Sequence, residues 1–383
     1  MRRADATERL RAVQSTRAPG ELVASLDDPS PEVVRAAIAR LVDLEGRAAA
    51  GALRDRLFTV DLSLVADVAG ALRRIGDSEV VKAAIEALSD VRYSRRLAGV
   101  RALGALGDPR TAEPLRTTLE DGVAGVRSAA LDALARLGPR AGADAGAACA
   151  RLLADPVAHV RIAAVRAVAR LVTHPGGMLA PAAEDEDRFV RLEVARHVAG
   201  LPEPAAKTLL SDPEVRVREA AARAASAREA GALAVLLTDD PAPDVRRAAA
   251  RTLGAMRDER VADVLIPGLD DPDPLVRAAV LRALEELLTR ATAVTRLCDE
   301  LGSDRPKRRR ATVYALAHLK AREAAAELAR CADDPDPDVR LALIHGAEAL
   351  FEQPEPLMRY LASDADPAVR QGAEMWLLRA GRR

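Results

Sequence analysis

The sequence has very few aromatic residues. They make up 2% of its 383 residues, although apolar residues make up 49%. A core without aromatic rings must be built from Ala, Leu and Val, which suits closely packed helices better than sheets. Only three cysteines occur, at positions 149, 298 and 331, and none belongs to a Cys-x-x-Cys pair. This spacing excludes a disulfide framework and a cysteine zinc site, and it is typical of a reduced, cytoplasmic protein.

Lysine is also scarce, since only four of the 57 basic residues are lysine and the rest are arginine. This bias is typical of a GC-rich bacterial genome, and it weakens any argument that rests on arginine counts alone. The formal net charge of −1 argues against a protein that is basic overall, as many nonspecific nucleic-acid binders are. No run approaches the roughly 18 apolar residues of a membrane span, and the N-terminal MRRADATERLRAV lacks the apolar part of a signal peptide. We therefore expect a soluble, cytoplasmic protein.

What the sequence has in abundance is one repeated pattern. An arginine recurs at intervals of 27 to 34 residues, in eleven of twelve equivalent positions. These anchor positions are Arg35, Val65, Arg96, Arg127, Arg161, Arg191, Arg218, Arg246, Arg277, Arg309, Arg340 and Arg370. Apolar residues recur three, seven and ten residues after the anchor, which is helical spacing, and glycines such as Gly107 follow as helix caps. A shorter helix precedes each anchor, as in 109–121, so each unit is predicted to be two antiparallel helices that stack on their neighbours.

An aspartate stands six residues before the anchor in nine of the twelve units, usually followed by proline. The nine are Asp90, Asp121, Asp155, Asp185, Asp212, Asp240, Asp271, Asp334 and Asp364. Acidic clusters of this kind resemble calcium loops, but a loop that starts at Asp334 has Val339 and His345 where an EF-hand needs Gly and Glu. A feature that recurs at a fixed position in nine units indicates a structural role. The aspartate is expected to cap the second helix, and the anchor arginine to reach an aspartate of its own or the adjacent unit.

Three segments carry a family resemblance: DPDPLVRAAVLRAL, DDPAPDVRRAAARTLGAM and RRLAGVRALGALGDPRTAEPL. They resemble HEAT-like repeats of the short, phycobilisome-lyase type, from about residue 19 to 380. The resemblance implies an all-α fold, an α-solenoid of about twelve helix pairs, with an Asp–Arg ladder between units and the second helices on the concave face. We expect one solenoid over residues 1–383, with a cap helix at 1–18, repeats 1–5 at 19–171, repeats 6–12 at 172–380 and a candidate joint at 172–181.

Five residues after each anchor, the side chain is expected to point away from the buried face. This position is arginine in five consecutive units, here called the arginine stripe: Arg166, Arg196, Arg223, Arg251 and Arg282. Guanidinium groups bind carboxylates and phosphates through two parallel hydrogen bonds. The stripe, with Arg101 before it and Tyr314 and His345 after it, is therefore a candidate surface for an acidic protein partner. A solvated face paired with Glu193 and Glu219 is the alternative interpretation.

A second candidate lies in SDRPKRRRAT, which places several cations at the start of a helix. Cations there oppose the helix dipole, and an anionic ligand would explain them. The predicted anion-binding residues are Arg305, Lys307, Arg308 and Arg310. A solvated charge run is the alternative.

Catalytic signatures are missing from the sequence. It has no His-Glu-x-x-His, Gly-x-Ser-x-Gly, Walker or Gly-x-Gly-x-x-Gly motif, and its five histidines are scattered over different units. HEAT-like iron hydroxylases carry His-Glu pairs and HEAT-like DNA glycosylases carry aromatic side chains in their groove, and neither pattern occurs here. We expect a non-catalytic scaffold for a protein partner, with no metal and no cofactor. A nucleic-acid-associated protein, and a lyase- or oxidoreductase-type enzyme or maturation factor, stay open as alternatives.

Overall fold

The computed structural model describes residues 2–15 and 18–381, and every regular element in these ranges is a helix. The first thirteen α-helices are α1 Arg2–Ser15, α2 Pro19–Ala24, α3 Pro31–Glu45, α4 Ala50–Arg56, α5 Val65–Arg74, α6 Glu79–Ala87, α7 Tyr93–Leu106, α8 Ala112–Thr117, α9 Ala124–Leu137, α10 Ala145–Ala150, α11 Ala158–Leu171, α12 Gly176–Leu179 and α13 Arg188–Ala195. The next twelve are α14 Glu203–Leu210, α15 Val215–Ala224, α16 Ala230–Asp239, α17 Pro243–Ala255, α18 Ala262–Leu265, α19 Pro274–Leu287, α20 Arg290–Glu300, α21 Pro306–His318, α22 Ala325–Arg330, α23 Pro337–Leu350, α24 Glu355–Leu361 and α25 Pro367–Ala380. Short 3-10 helices lie between many of them, at Ser25–Asp27, Gly46–Ala49, Pro109–Thr111, Thr118–Glu120, Gly138–Ala141, Arg151–Ala154, Ala180–Glu184, Val198–Gly200, Ala227–Glu229, Glu259–Val261, Ile266–Asp270, Arg322–Ala324 and Cys331–Asp333.

From α2 onwards the helices alternate between two kinds. Each odd-numbered helix from α3 to α25 carries one anchor position, and an even-numbered helix precedes it. The described chain therefore contains the twelve predicted helix pairs, and the α-solenoid fold class is confirmed. Helix α1, in the predicted cap segment 1–18, packs against α3, and residues 1, 16 and 17 of that segment lie outside the described residues.

The odd-numbered helices bury the apolar positions that the periodicity indicated. Leu103 of α7 and Leu253 of α17, for example, are completely buried. Burying a leucine side chain contributes about 1.5–3 kcal/mol, so a stack of such helices supplies the core without aromatic rings. Small residues bring neighbouring odd-numbered helices close together. A Cβ added to Gly254 would lie only 2.5 Å from the Cβ of Ala283 in the next odd-numbered helix.

The even-numbered helices are less regular than the sequence suggested. The segment 109–121, predicted as one helix, is divided into a 3-10 turn at 109–111, α8, and a second 3-10 turn at 118–120. The hydroxyl of Thr118 donates to the backbone carbonyl of Pro114 at 2.8 Å. Such local side-chain bonds compete with the α-helical pattern, which short segments have few residues to maintain.

The chain forms two compact units. The first comprises the chain up to Val194 together with Gly200–Ala205, and the second comprises Ala195–Ala199 together with the chain from Ala206 onward. The candidate joint at 172–181 lies inside the first unit and contains α12. Gly176 is needed there for close packing, because an added Cβ would lie 1.8 Å from the carbonyl oxygen of Gly200. Flexing of this segment stays a prediction.

Within each unit, arginine–aspartate bridges join successive helix pairs. Arg246 donates from Nε and Nη2 to both carboxylate oxygens of Asp271 in the next pair, at 2.6 and 2.9 Å. Its Nη1 donates to the backbone carbonyl of Asp240 in its own pair, at 2.8 Å. Equivalent bridges are Arg96–Asp121, Arg127–Asp155 and Arg161–Asp185 in the first unit, and Arg218–Asp240, Arg309–Asp334 and Arg340–Asp364 in the second. The anchor arginines thus reach the aspartate of the adjacent helix pair, which is one of the two predicted alternatives.

The prediction that this aspartate caps the second helix is wrong. Helix α19 begins at Pro274, three residues after Asp271, so the carboxylate of Asp271 cannot take the capping position. Its Oδ1 instead accepts from the backbone N–H of Asp273, at 2.8 Å. Asp273 is the residue that caps α19, by accepting from the N–H groups of Leu275 and Val276. Asp271 therefore stabilises the turn and the bridge rather than the helix end.

Four of the bridge aspartates, Asp121, Asp155, Asp334 and Asp364, have a lowered carboxyl pKa. The side-chain hydrogen bond from Arg96 lowers the pKa of Asp121. At Asp334, burial acts to raise the pKa, but the hydrogen bonds from Arg309 and from the N–H of Asp336 outweigh it and the pKa is lowered. A carboxyl group whose pKa is lower in the folded chain than in the unfolded chain stabilises the fold only while it is ionised.

Replacing Asp271 with alanine is expected to lower the free energy of unfolding by about 3–5 kcal/mol, because Arg246 then stays buried without a carboxylate. Asp273→Ala is the matched control in the same turn. It removes only a helix cap, and we expect it to cost about 1 kcal/mol. Urea unfolding followed by circular dichroism measures both losses, and equal losses in the two variants would contradict the bridge.

The stability of the protein is expected to fall in acid. Above the unfolded-state pKa of about 3.9, the ionised carboxylates of Asp121, Asp155, Asp334 and Asp364 contribute their full stabilisation, and this is lost as the pH falls through their lower folded-state pKa values. The melting temperature should therefore drop steeply below about pH 4. A melting temperature that is the same at pH 7 and pH 3 would show that the bridges contribute nothing.

Candidate functional site

The arginine stripe is exposed, as its position five residues after the anchors indicates. Four of its members lie on odd-numbered helices: Arg166 on α11, Arg223 on α15, Arg251 on α17 and Arg282 on α19. Arg196 departs from the expectation, because α13 ends at Ala195 and Arg196 lies in the turn that follows. Arg101 is exposed on α7.

Glutamates one helical turn away pair with two arginines of the stripe. Arg223 contacts Glu219 at 2.5 Å, and Arg282 contacts Glu286 at 3.0 Å. Exposed pairs of this kind contribute at most about 1 kcal/mol. The two arginines can therefore exchange their glutamates for the carboxylates of a partner at little cost.

The other stripe residues, and Arg101, differ in their surroundings. The guanidinium of Arg166 lies 3.9 Å from Glu193. Arg251 makes no ion pair or hydrogen bond with any described residue, whereas Arg101 donates from Nη1 to the backbone carbonyl of Leu62 at 2.7 Å.

Tyr314 and His345, expected after the stripe, contact each other. The hydroxyl of Tyr314 lies 3.0 Å from Nδ1 of His345, and the two rings are nearly parallel with their centroids 6.3 Å apart. Both side chains are exposed, although partial burial raises the pKa of Tyr314. They therefore form one surface feature that spans α21 and α23.

The four cations predicted to bind an anion have different environments. Arg308 contacts Asp270 at 3.1 Å and Glu300 at 3.2 Å, so two carboxylates hold it. Arg310 contacts Asp338 at 2.7 Å. Arg305 and Lys307, by contrast, are exposed, and neither contacts an acidic side chain in the described chain.

A groove of about 460 Å³ lies in the second unit, between α19, α21 and α23. Its lining residues include Leu269, Arg277, Leu281, Lys307, Arg310, Tyr314 and Leu341. We name it the Arg277 groove. It brings together two residues of the predicted anion-binding set and one of the predicted partner-binding residues.

The Arg277 groove lies where the close packing of odd-numbered helices is interrupted. Eight residues after its anchor, α17 has Gly254, which packs tightly on Ala283 of α19. The equivalent residue of α19 is Glu285, whose carboxylate lies 3.7 Å from Nε2 of His318. Helix α17 packs directly on α19, whereas α21 packs mainly on the 3-10 helix Ile266–Asp270 that precedes α19.

Arg277 itself differs from the bridged anchors, because Ser303 stands where the next pair would supply the aspartate. Nη1 of Arg277 donates to the backbone carbonyls of Asp271 and Pro272, at 2.8 and 3.1 Å, as in the bridges. No carboxylate of the described residues contacts its Nε or Nη2. The side chain of Ser303 is used locally, since its Oγ accepts from the N–H of Arg305.

In the first unit one repeat shows the reverse change, in which the anchor arginine is missing and the aspartate remains. Neighbouring residues compensate for the missing arginine. Val65 occupies an anchor position, so no preceding arginine reaches Asp90. Arg92 and Arg95, close to Asp90 in sequence, contact its carboxylate at 3.0 and 3.4 Å. The hydrogen bonds from Arg92 lower the pKa of Asp90 to about 2. An unbridged aspartate is thus neutralised, whereas Arg277 is not.

The sequence pattern predicts Arg277 only as one of the paired, structural anchor arginines. The sequence signal for its different role is Ser303, which stands six residues before an anchor, where all other repeats of the second unit have aspartate. Finding it also requires knowing that each arginine pairs with the aspartate of the following repeat rather than with its own.

Neither a metal-ligand cluster nor a membrane-spanning helix occurs among the described residues. No cluster of three or more His, Cys, Asp or Glu side chains in residues 2–15 and 18–381 is arranged to hold a metal ion. None of the helices there has the length and apolar character needed to span a bilayer. Burial raises the pKa of Cys149 to about 12, which keeps its thiol protonated at neutral pH.

Comparison with known proteins identifies the repeats. The chain matches the family described as HEAT repeats over residues 63–135, 230–317 and 294–377, which is more than half of its length. No curated protein matches it.

Several solved structures match the chain at low sequence identity. One is an engineered protein, 18% identical with a TM-score of 0.36, and the match covers 94% of this chain and 98% of the other. Kap121p, crystallised bound to Nup53p, is 14% identical with a TM-score of 0.47, over 99% of this chain and 55% of the other. Kap95p, from a structure with RanGDP, is 12% identical with a TM-score of 0.45, over 94% of this chain and 55% of the other. The chain thus spans about half the length of these two proteins.

Proposed function

Because this chain belongs to the HEAT-repeat family, we propose that it is a non-catalytic scaffold or adaptor that binds an acidic protein partner through the arginine stripe. The observation that carries the proposal is that arginine stays exposed at one position of five successive repeats. Packing does not require arginine there, and its two-point hydrogen bonding suits carboxylates. Arg101, Tyr314 and His345 are proposed as further contacts with the partner.

Charge favours a protein partner over a nucleic acid. The chain has a net charge of −1, so it lacks the overall positive field that attracts a phosphate backbone. Glu219 and Glu286 lie beside stripe arginines and would repel a continuous row of phosphates. A protein segment with separated acidic side chains can place each carboxylate on a guanidinium and avoid these glutamates.

Three finer assignments belong to the same proposal. Anchor spacings of 27 to 34 residues support the short, phycobilisome-lyase type of HEAT-like repeat, since longer HEAT units have about 40–47 residues. The three cysteines are free thiols, which supports a cytoplasmic location. A single repeat array with a joint at 172–181 is proposed as its domain organisation.

The stripe is tested with a partner captured on the purified protein from a cell lysate and identified by mass spectrometry. Reversing two stripe charges, in Arg196→Glu/Arg251→Glu, is expected to weaken binding at least about tenfold, because both guanidinium contacts become repulsive. Binding by the unaltered protein should also weaken as salt rises, since exposed charges are screened. Calorimetry at several salt concentrations measures both effects.

The matched control is Arg330→Glu/Arg359→Glu, which makes the same change in net charge on the even-numbered helices α22 and α24. We expect it to bind the partner with unchanged affinity. If the stripe variant binds as tightly as the control, with an intact circular dichroism spectrum, the stripe is only a solvated face.

A further inference from the structure

We propose that the Arg277 groove binds a carboxylate side chain of an acidic protein segment, which occupies the position that the bridge aspartate has in other repeats. This inference rests on the proposed protein-binding function and assigns it a second contact outside the arginine stripe. It joins Lys307, Arg310 and Tyr314, which the sequence predicts as separate contacts, through Arg277, which the sequence predicts only as a structural anchor.

The chain itself shows what the guanidinium of an anchor arginine binds. In the bridges on either side of Arg277, Nη1 is directed to a backbone carbonyl and Nε and Nη2 are directed to the two oxygens of one carboxylate. Arg277 makes the same backbone bonds, so its guanidinium is held by the same Nη1 contact. Because Ser303 has no carboxylate, Nε and Nη2 are left to bind one from another molecule.

The charges around the Arg277 groove favour an acidic ligand. Three carboxylates line it, and each already pairs with an arginine: Asp270 with Arg308, Asp271 with Arg246 and Asp338 with Arg310. Arg277 and Lys307 have no such partner among the described residues. Because Arg308 also contacts Glu300, the paired and unpaired groups together leave one positive charge in excess, and the two unpaired cations lie on neighbouring odd-numbered helices.

The remaining walls favour a protein segment over a small carboxylate ion. Leu281 and Leu341 line the groove beside Tyr314, and its volume of about 460 Å³ is much larger than one carboxylate requires. A segment with an acidic residue next to apolar residues would place its carboxylate on Arg277 and its apolar side chains against Leu281 and Leu341. The chain's own bridging segments have this composition, as in LLADPV at 152–157, where Asp155 receives the guanidinium of Arg127.

The probe is therefore a fluorescein-labelled peptide, LLADPV, with a blocked N-terminus and an amidated C-terminus, titrated with the full-length protein and followed by anisotropy. We expect saturable binding, and at least about tenfold weaker binding of the matched peptide LLANPV, which lacks the carboxylate. LLANPV with a free C-terminus separates the two sources of carboxylate. If only this peptide binds, the groove recognises a chain end and the assignment to a side chain is overturned.

Two variants change the groove in different ways. Arg277→Gln removes the guanidinium. Ser303→Asp keeps the guanidinium and supplies a carboxylate from the chain itself to Nε and Nη2 of Arg277. We expect each to weaken binding of LLADPV at least about tenfold, and Ser303→Asp also to raise the melting temperature. Because Ser303→Asp completes a bridge, its loss of binding cannot be attributed to unfolding.

Arg370→Gln is the matched control, since Arg370 has the same backbone bonds but does not line the groove. Binding of LLADPV should be unchanged in it. The proposal is overturned if LLADPV fails to bind at about 1 mM, or if Arg277→Gln and Ser303→Asp bind it as the unaltered protein does. Neither result affects the stripe, which is tested with the captured partner and Arg196→Glu/Arg251→Glu.

Discussion

The bridge between an anchor arginine and the aspartate of the next helix pair is the interaction on which this structure depends. Apolar contacts between alanine- and leucine-rich helices have no direction, so they permit several ways of stacking one pair on another. The guanidinium bonds to a backbone carbonyl in its own pair and to a carboxylate in the next, which fixes the distance and orientation of the two. Because an unpaired buried charge is costly, stacking in another register would be penalised twice, once at Arg246 and once at Asp271.

The Arg277 groove lies between two helix pairs at which two features of the repeat are changed. Ser303 stands where the other bridges have aspartate, and Glu285 stands where α17 has the glycine that packs on the next odd-numbered helix. Together they leave an anchor arginine held by its backbone contacts beside an open space with apolar walls. The structural arginine thereby becomes available for recognition without a change in its own position.

The sequence predicted the odd-numbered helices well, because a single apolar stripe at helical spacing must be buried. It predicted the even-numbered helices less well, since short segments such as 109–121 are divided by local side-chain bonds that periodicity does not show. The exposure of Arg223 and Arg251 followed from their spacing, whereas the position of Arg196 in a turn depends on where α13 ends. The groove could not be predicted, because it requires knowing which aspartate each arginine reaches.

Hydrogen exchange of the backbone amides, followed by mass spectrometry, tests the role of the bridges most directly. The first turns of α19 and α21 follow equivalent turns, but only α19 is joined to the preceding pair through an anchor arginine and is capped by an aspartate, whereas α21 contacts that pair through Arg308 and Asp270. The account predicts faster exchange in the first turn of α21 than in that of α19, and slower exchange of the α21 turn in the Ser303→Asp variant than in the unaltered protein. Equal exchange in the two turns, unchanged by Ser303→Asp, would contradict the claim that these bridges hold successive helix pairs together.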